Sequence, residues 1–80
     1  MSEAEVISLS ELQVGDRAEI VSVEAAGPIR KRLLEMGVRK GVTLEVERVA
    51  PLGDPVEVKL MGYHLSLRRA EGSGIKVKRL

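Results

Sequence analysis

The sequence has 80 residues, 44% of them hydrophobic, with one Tyr, no Phe, Trp or Cys, and a formal net charge of +1. A chain of this length makes one domain and buries roughly 60% of the surface its unfolded form exposes, which leaves little for a deep catalytic cleft. The missing cysteines exclude disulfides, thiolate chemistry and Cys-based zinc or iron–sulfur sites, and they favour a reducing compartment. The balanced charge gives no bulk electrostatic case for nucleic acid.

The core must be built from Leu, Val and Ile. The acidic start, Met1 to Glu5, is unlike the basic start of a signal peptide, and no apolar run is long enough to span a bilayer. The expected location is cytoplasmic. Charge is nevertheless segregated. Glu3, Glu5, Glu11 and Asp16 make the beginning acidic, whereas Arg30, Lys31, Arg32, Arg39 and Lys40, and later Arg68, Arg69, Lys76, Lys78 and Arg79, form basic stretches. Such a dipolar surface can steer an acidic partner.

Residues 1–7 read as a frayed start. Leu9 to Leu12 reads as a short apolar turn closing one end of the fold, and Val14-Gly15-Asp16 as a turn. Arg17 to Glu24 alternates, with Ala18 and Ile20 on one face, which predicts a half-buried strand. Gly27-Pro28 opens a helix, since proline is tolerated in the first turn. Ile29, Leu33 and Met36 mark its apolar stripe, and Gly37 ends it at a position that needs positive φ. A helix of two to three turns is too short to stand alone and must dock on a sheet.

Thr43 to Ala50 is the second strand, with Leu44 and Val46 inward and Glu45 and Glu47 outward. Pro51 to Pro55 is a stiff loop. Val56 to Leu60 alternates, Met61-Gly62-Tyr63 makes a hairpin connection, and His64 to Arg68 alternates again. Gly72-Ser73-Gly74 reads as a loop before the last strand, which carries Ile75 and Val77. The expected fold class is all-β: a small barrel of about five strands with one short inserted helix, a single domain over residues 1–80. Closure into a barrel removes the sheet edges that invite aggregation.

Catalytic chemistry is missing from this inventory. The carboxylates are spaced as solubilising strand residues, no serine lies in a nucleophile-elbow context, and no phosphate-cradling run is present. No catalytic residue, no cofactor and no metal are expected, and the chain reads as a non-enzyme. His64 is the single imidazole and therefore the only candidate ligand. Glu57 or Glu45 would be its nearest help, and one imidazole with exposed carboxylates falls short of the three or four ligands a site needs. Tyr63 alone makes a poor stacking platform for single-stranded nucleic acid.

What remains is surface for protein recognition. Leu52 stands on the stiff loop between Pro51 and Pro55, and Tyr63 sits at the hairpin, where an amphipathic ring suits an interface. With the basic helix face of Arg30, Lys31 and Arg32, these residues form the candidate partner-binding set.

Several pieces then join. Leu9-Ser-Glu-Leu12 followed by Gly15, the run Arg30 to Gly37 (Arg-Lys-Arg-Leu-Leu-Glu-Met-Gly), Gly41, Ala50-Pro-Leu-Gly-Asp-Pro55, Gly62-Tyr63 and Leu65-Ser-Leu-Arg68 together resemble the FeoA family, ferrous iron transport protein A. The resemblance covers about Leu9 to Val77. It implies an SH3-like barrel that acts as a cytoplasmic accessory or regulatory protein of ferrous iron uptake. Its implied partner is the FeoB permease, chiefly the cytoplasmic GTP-binding part, with membrane proximity through that partner and no insertion. A monomer or weak homo-oligomer is expected. One departure stands out: the family often has a charged helical turn before the last strand, and Gly72-Ser73-Gly74 interrupts it here. The alternative reading is an SH3-like barrel that binds RNA or DNA through its basic C-terminal strand, which a steep salt dependence would reveal.

Overall fold

Each alternating stretch becomes a strand in the computed structural model, which describes residues 5–80. The strands are β1 (Val6–Ser8), β2 (Arg17–Val23), β3 (Thr43–Val49), β4 (Val56–Leu60), β5 (Tyr63–Leu67) and β6 (Ile75–Arg79). A 3-10 turn occupies Leu9–Glu11, and the helices are α1 (Gly27–Glu35) and α2 (Arg69–Gly72). All pairings are antiparallel, in one sheet of order β1-β6-β2-β3-β4-β5.

The inward faces meet in one aliphatic core. Ala18, Ile20, Leu44, Val46, Val58, Leu60, Leu67, Ile75 and Val77 are buried there, with Leu9 and Leu12 sealing one end and Leu33 and Val38 contributed by and after α1. Register shifts between Ile20 and Ser22 and between Val46 and Arg48 bend β2 and β3, because a bulge increases local twist and curls the sheet.

Four sequence expectations change. Val6 and Ile7 do not fray: they pair with Lys78 and Val77 as a sixth strand, and the rest of that expectation, residues 1–4, lies outside the described residues. The sheet also keeps two edges, since β1 and β5 end the strand order and are not bonded to each other. Ile29 is 44% exposed, so the helix stripe buries only from Leu33 onward. The helix is anchored at its C-terminal end, and its first turn stands away from the core.

The fourth change concerns the turn before β6. A helical turn is present at Arg69–Gly72 despite the glycines, because Glu71 caps it by accepting from the Arg68 backbone N–H at 2.8 Å. The glycine at 74 has a packing reason. A Cβ there would meet the Ala25 backbone nitrogen at 3.0 Å, so the chain passes too close to β2's exit for a side chain.

Candidate partner-binding surface

Leu52 is 96% exposed, the most exposed large apolar residue of the described chain. Its loop is nevertheless braced. Gly53 N–H donates to Ala50 O at 2.7 Å and Ala50 N–H to Pro55 O at 3.1 Å. The Arg69 backbone N–H donates to Asp54 Oδ1 at 3.0 Å, and Arg69 Nη1 donates to Gly53 O at 3.3 Å. Pro51 and Pro55 flank it, both exposed. A leucine displayed on a pinned loop loses little entropy when a partner covers it.

α2 carries this bracing onward. Glu71, two residues after Arg69, is 5% exposed. It accepts from Arg32 Nη1 of α1 at 2.8 Å. Arg32 thus faces outward as expected, but its guanidinium is engaged within the chain. Arg30 and Lys31 are exposed, and no ion pair holds either among the described residues.

At the other end of α1, Tyr63 is 39% exposed and donates its hydroxyl to the Met36 carbonyl. This contact depends on a Schellman helix end. Val38 N–H bonds Leu33 O at 3.0 Å and Gly37 N–H bonds Leu34 O at 3.1 Å, with Gly37 at φ +92°. A Cβ on Gly37 would meet the Tyr63 hydroxyl at 2.6 Å. The glycine therefore serves twice, for its backbone angle and for the room it leaves.

A chain of contacts runs from Leu52's loop through α2 to Arg32 and on through Met36 to Tyr63, and none of these contacts involves Arg30 or Lys31. Leu52 and Tyr63 are not neighbours: β4 separates them, a span of about 16 Å for five extended residues. Sequence reasoning missed α2 as the hub. Glu71 at the third position after Arg68 was the available signal, a carboxylate able to reach back to a helix start.

His64 lies on the outer face of β5 with its side chain 67% exposed. Its Nδ1 contacts Glu47, not Glu45 or Glu57, and Glu47 lies at the register shift between Val46 and Arg48. No group of three potential metal-ligating residues occurs among the described residues. Among them, too, no helix is long and apolar enough to cross a membrane.

A curled six-stranded antiparallel sheet with one docked helix and a braced, exposed apolar loop defines a small SH3-like domain. The FeoA domain model matches residues 7–79. The chain belongs to the FeoA family. It is 51% identical over 70 residues, 88% of its length, to the Fe(2+) transport protein A/Fe(2+) transporter FeoB fusion protein of Porphyromonas gingivalis, of which it spans 8%. The solution structure of FeoA from Chlorobium tepidum is 50% identical, with a TM-score of 0.86 over 92% of this chain and 70% of that one. The crystal structure of Stenotrophomonas maltophilia FeoA with zinc, described as a unique procaryotic SH3 domain protein, is 29% identical, with a TM-score of 0.79 over 89% and 88% of the two chains.

Proposed function

We propose that this chain is a cytoplasmic accessory protein of ferrous iron uptake that acts by binding a FeoB-type permease, chiefly its GTPase part, and carries out no chemistry of its own. The observation that carries this reading is the Porphyromonas relative, in which a similar domain is covalently joined to FeoB. Fusion holds two modules at high effective concentration, which favours their contact even at modest affinity. Leu52, Pro51 and Pro55 supply the apolar part of the contact, Arg30 and Lys31 the steering charge, and Tyr63 its far margin.

Binding regulates the permease only if affinity differs between its nucleotide states. Titration of this chain into the full-length permease of the same organism, with and without nucleotide and at two salt concentrations, tests the reading. Saturable binding that depends on nucleotide supports regulation. Absence of binding in every state rejects it.

A further inference from the structure

The loop that displays Leu52 is held by two kinds of hydrogen bond. Gly53 N–H to Ala50 O and Ala50 N–H to Pro55 O are its own, and they shape the turn between β3 and β4. The others leave the hairpin, and both come from Arg69, the first residue of α2. Among the described residues no further hydrogen bond joins this loop to another element. The Asp54 carboxylate accepts from the Arg69 backbone N–H at 3.0 Å, and among the described residues it makes no ion pair.

α2 is a fixed base for that bond. Glu71 is buried and holds both the Arg68 N–H and the Arg32 guanidinium, each at 2.8 Å. The Ser8 hydroxyl lies 3.0 Å from Ser73 O at the far end of the turn. Gly72 sits so close to buried Leu9 that a Cβ there would meet Leu9 Cδ2 at 3.2 Å. An N–H in the first turn of a helix has no carbonyl within that helix, so the Arg69 N–H is open to a carboxylate from outside. Asp54, two residues beyond Leu52, thus ties the loop to an element seated on the core.

We infer that Asp54 is a positioning residue for partner binding: it acts through Leu52, which it holds in the orientation the partner meets. The inference rests on the permease reading and deepens it. A loop kept only by its own turn samples several arrangements. Fixing the backbone of even one residue on binding then costs about fivefold to thirtyfold in affinity. The bond from Arg69 removes that cost before the partner arrives. Because Asp54 is exposed, the bond adds little to the stability of the fold, so its effect falls on binding.

Two readouts on the whole chain test it: amide relaxation of the free protein and titration into the full-length permease. The Leu52 amide should have an order parameter of about 0.85 in the wild type and in Asp54→Asn, and below about 0.6 in Asp54→Ala. Asp54→Asn removes the same charge as Asp54→Ala but keeps the acceptor, so the pair separates the bond from the charge. Permease affinity should fall about tenfold in Asp54→Ala and stay within about twofold of wild type in Asp54→Asn. In a Leu52→Ala background, Asp54→Ala should change affinity by less than about twofold, since its effect passes through the leucine. Arg69→Pro deletes the same bond from the other side and decides the matter if Asp54→Ala does not fold. Proline is tolerated at the first helical position, and Arg68 at ψ 148° is already extended, as a residue before proline must be. A Leu52 amide equally ordered with and without the bond overturns the inference. So do equal losses in Asp54→Ala and Asp54→Asn, or an undiminished loss in the Leu52→Ala background, either of which would make Asp54 a contact in its own right. A wild type that binds no permease in any nucleotide state rejects the permease reading, and the order parameters alone then decide whether Asp54 positions Leu52.

Discussion

The Tyr63 hydroxyl donates to the carbonyl of Met36, tying the β4–β5 hairpin to the C-terminal end of α1. The bond satisfies a carbonyl that the helix itself leaves open, and the missing side chain of Gly37 makes room for it. Two short sequence signatures, Met-Gly at the helix end and Gly-Tyr at the hairpin, are therefore two halves of one contact.

Tyr63→Phe should cost about 1 kcal/mol of stability, the usual net value of one hydrogen bond. Gly37→Ala should cost more, about 1–3 kcal/mol, because it combines an unfavourable φ with a clash against the hydroxyl. Residues in contact do not add. Denaturant unfolding of both single variants and the double variant checks this: Gly37→Ala should be less costly in the Tyr63→Phe background. Strict additivity would show that the hydroxyl is not the obstacle.

Glu71 is buried, caps α2 and receives Arg32. Glu71→Ala should destabilise by about 1.5–3 kcal/mol, through loss of the cap and of a charged hydrogen bond. Glu71→Gln keeps an acceptor for the Arg68 N–H and should cost less than half as much. Thermal unfolding of the two variants measures the difference. Equal losses would mean that charge alone matters at this position.

Asp16 accepts from the Gln13 backbone N–H at 2.7 Å and pairs with Arg79 at 3.3 Å. The Gln13 bond foremost, and the Arg79 charge after it, hold its carboxyl below the ordinary 3.8. A lowered folded value means stability that is present above the unfolded pKa and is lost as pH falls through the folded one. Asp16→Asn should therefore be less stable than wild type near neutrality, and the gap should close below about pH 4. Unfolding curves measured from neutral to acid pH test the sign. A gap that widens in acid would contradict it.

Much of the fold is legible in the sequence because period-two alternation marks β2 to β6 without help. β1 is not, since Val6 and Ile7 pair with Lys78 and Val77 from the other end of the chain, and no local pattern announces a three-residue strand. The exposure of Ile29 depends on the angle at which α1 docks, which periodicity does not encode. The prominence of Leu52 follows from a Pro-flanked loop and is readable. The Arg32–Glu71 pair spans 39 residues and is not, so the engagement of one of the three basic helix residues appears only in the folded chain. Likewise the partner of His64, Glu47, lies on β3, two strands away, and no local pattern around His64 announces it.

Leu52 offers the most direct test, because its side chain is 96% exposed and its removal should change stability by no more than about 0.5 kcal/mol. Titration of wild type and Leu52→Glu into the full-length FeoB permease of the same organism should give saturable binding for the first and affinity at least about tenfold weaker for the second, the range of a lost interface anchor. Equal affinity of the two folded proteins would contradict the docking surface, and no binding of the wild type in any nucleotide state would contradict the proposed function itself.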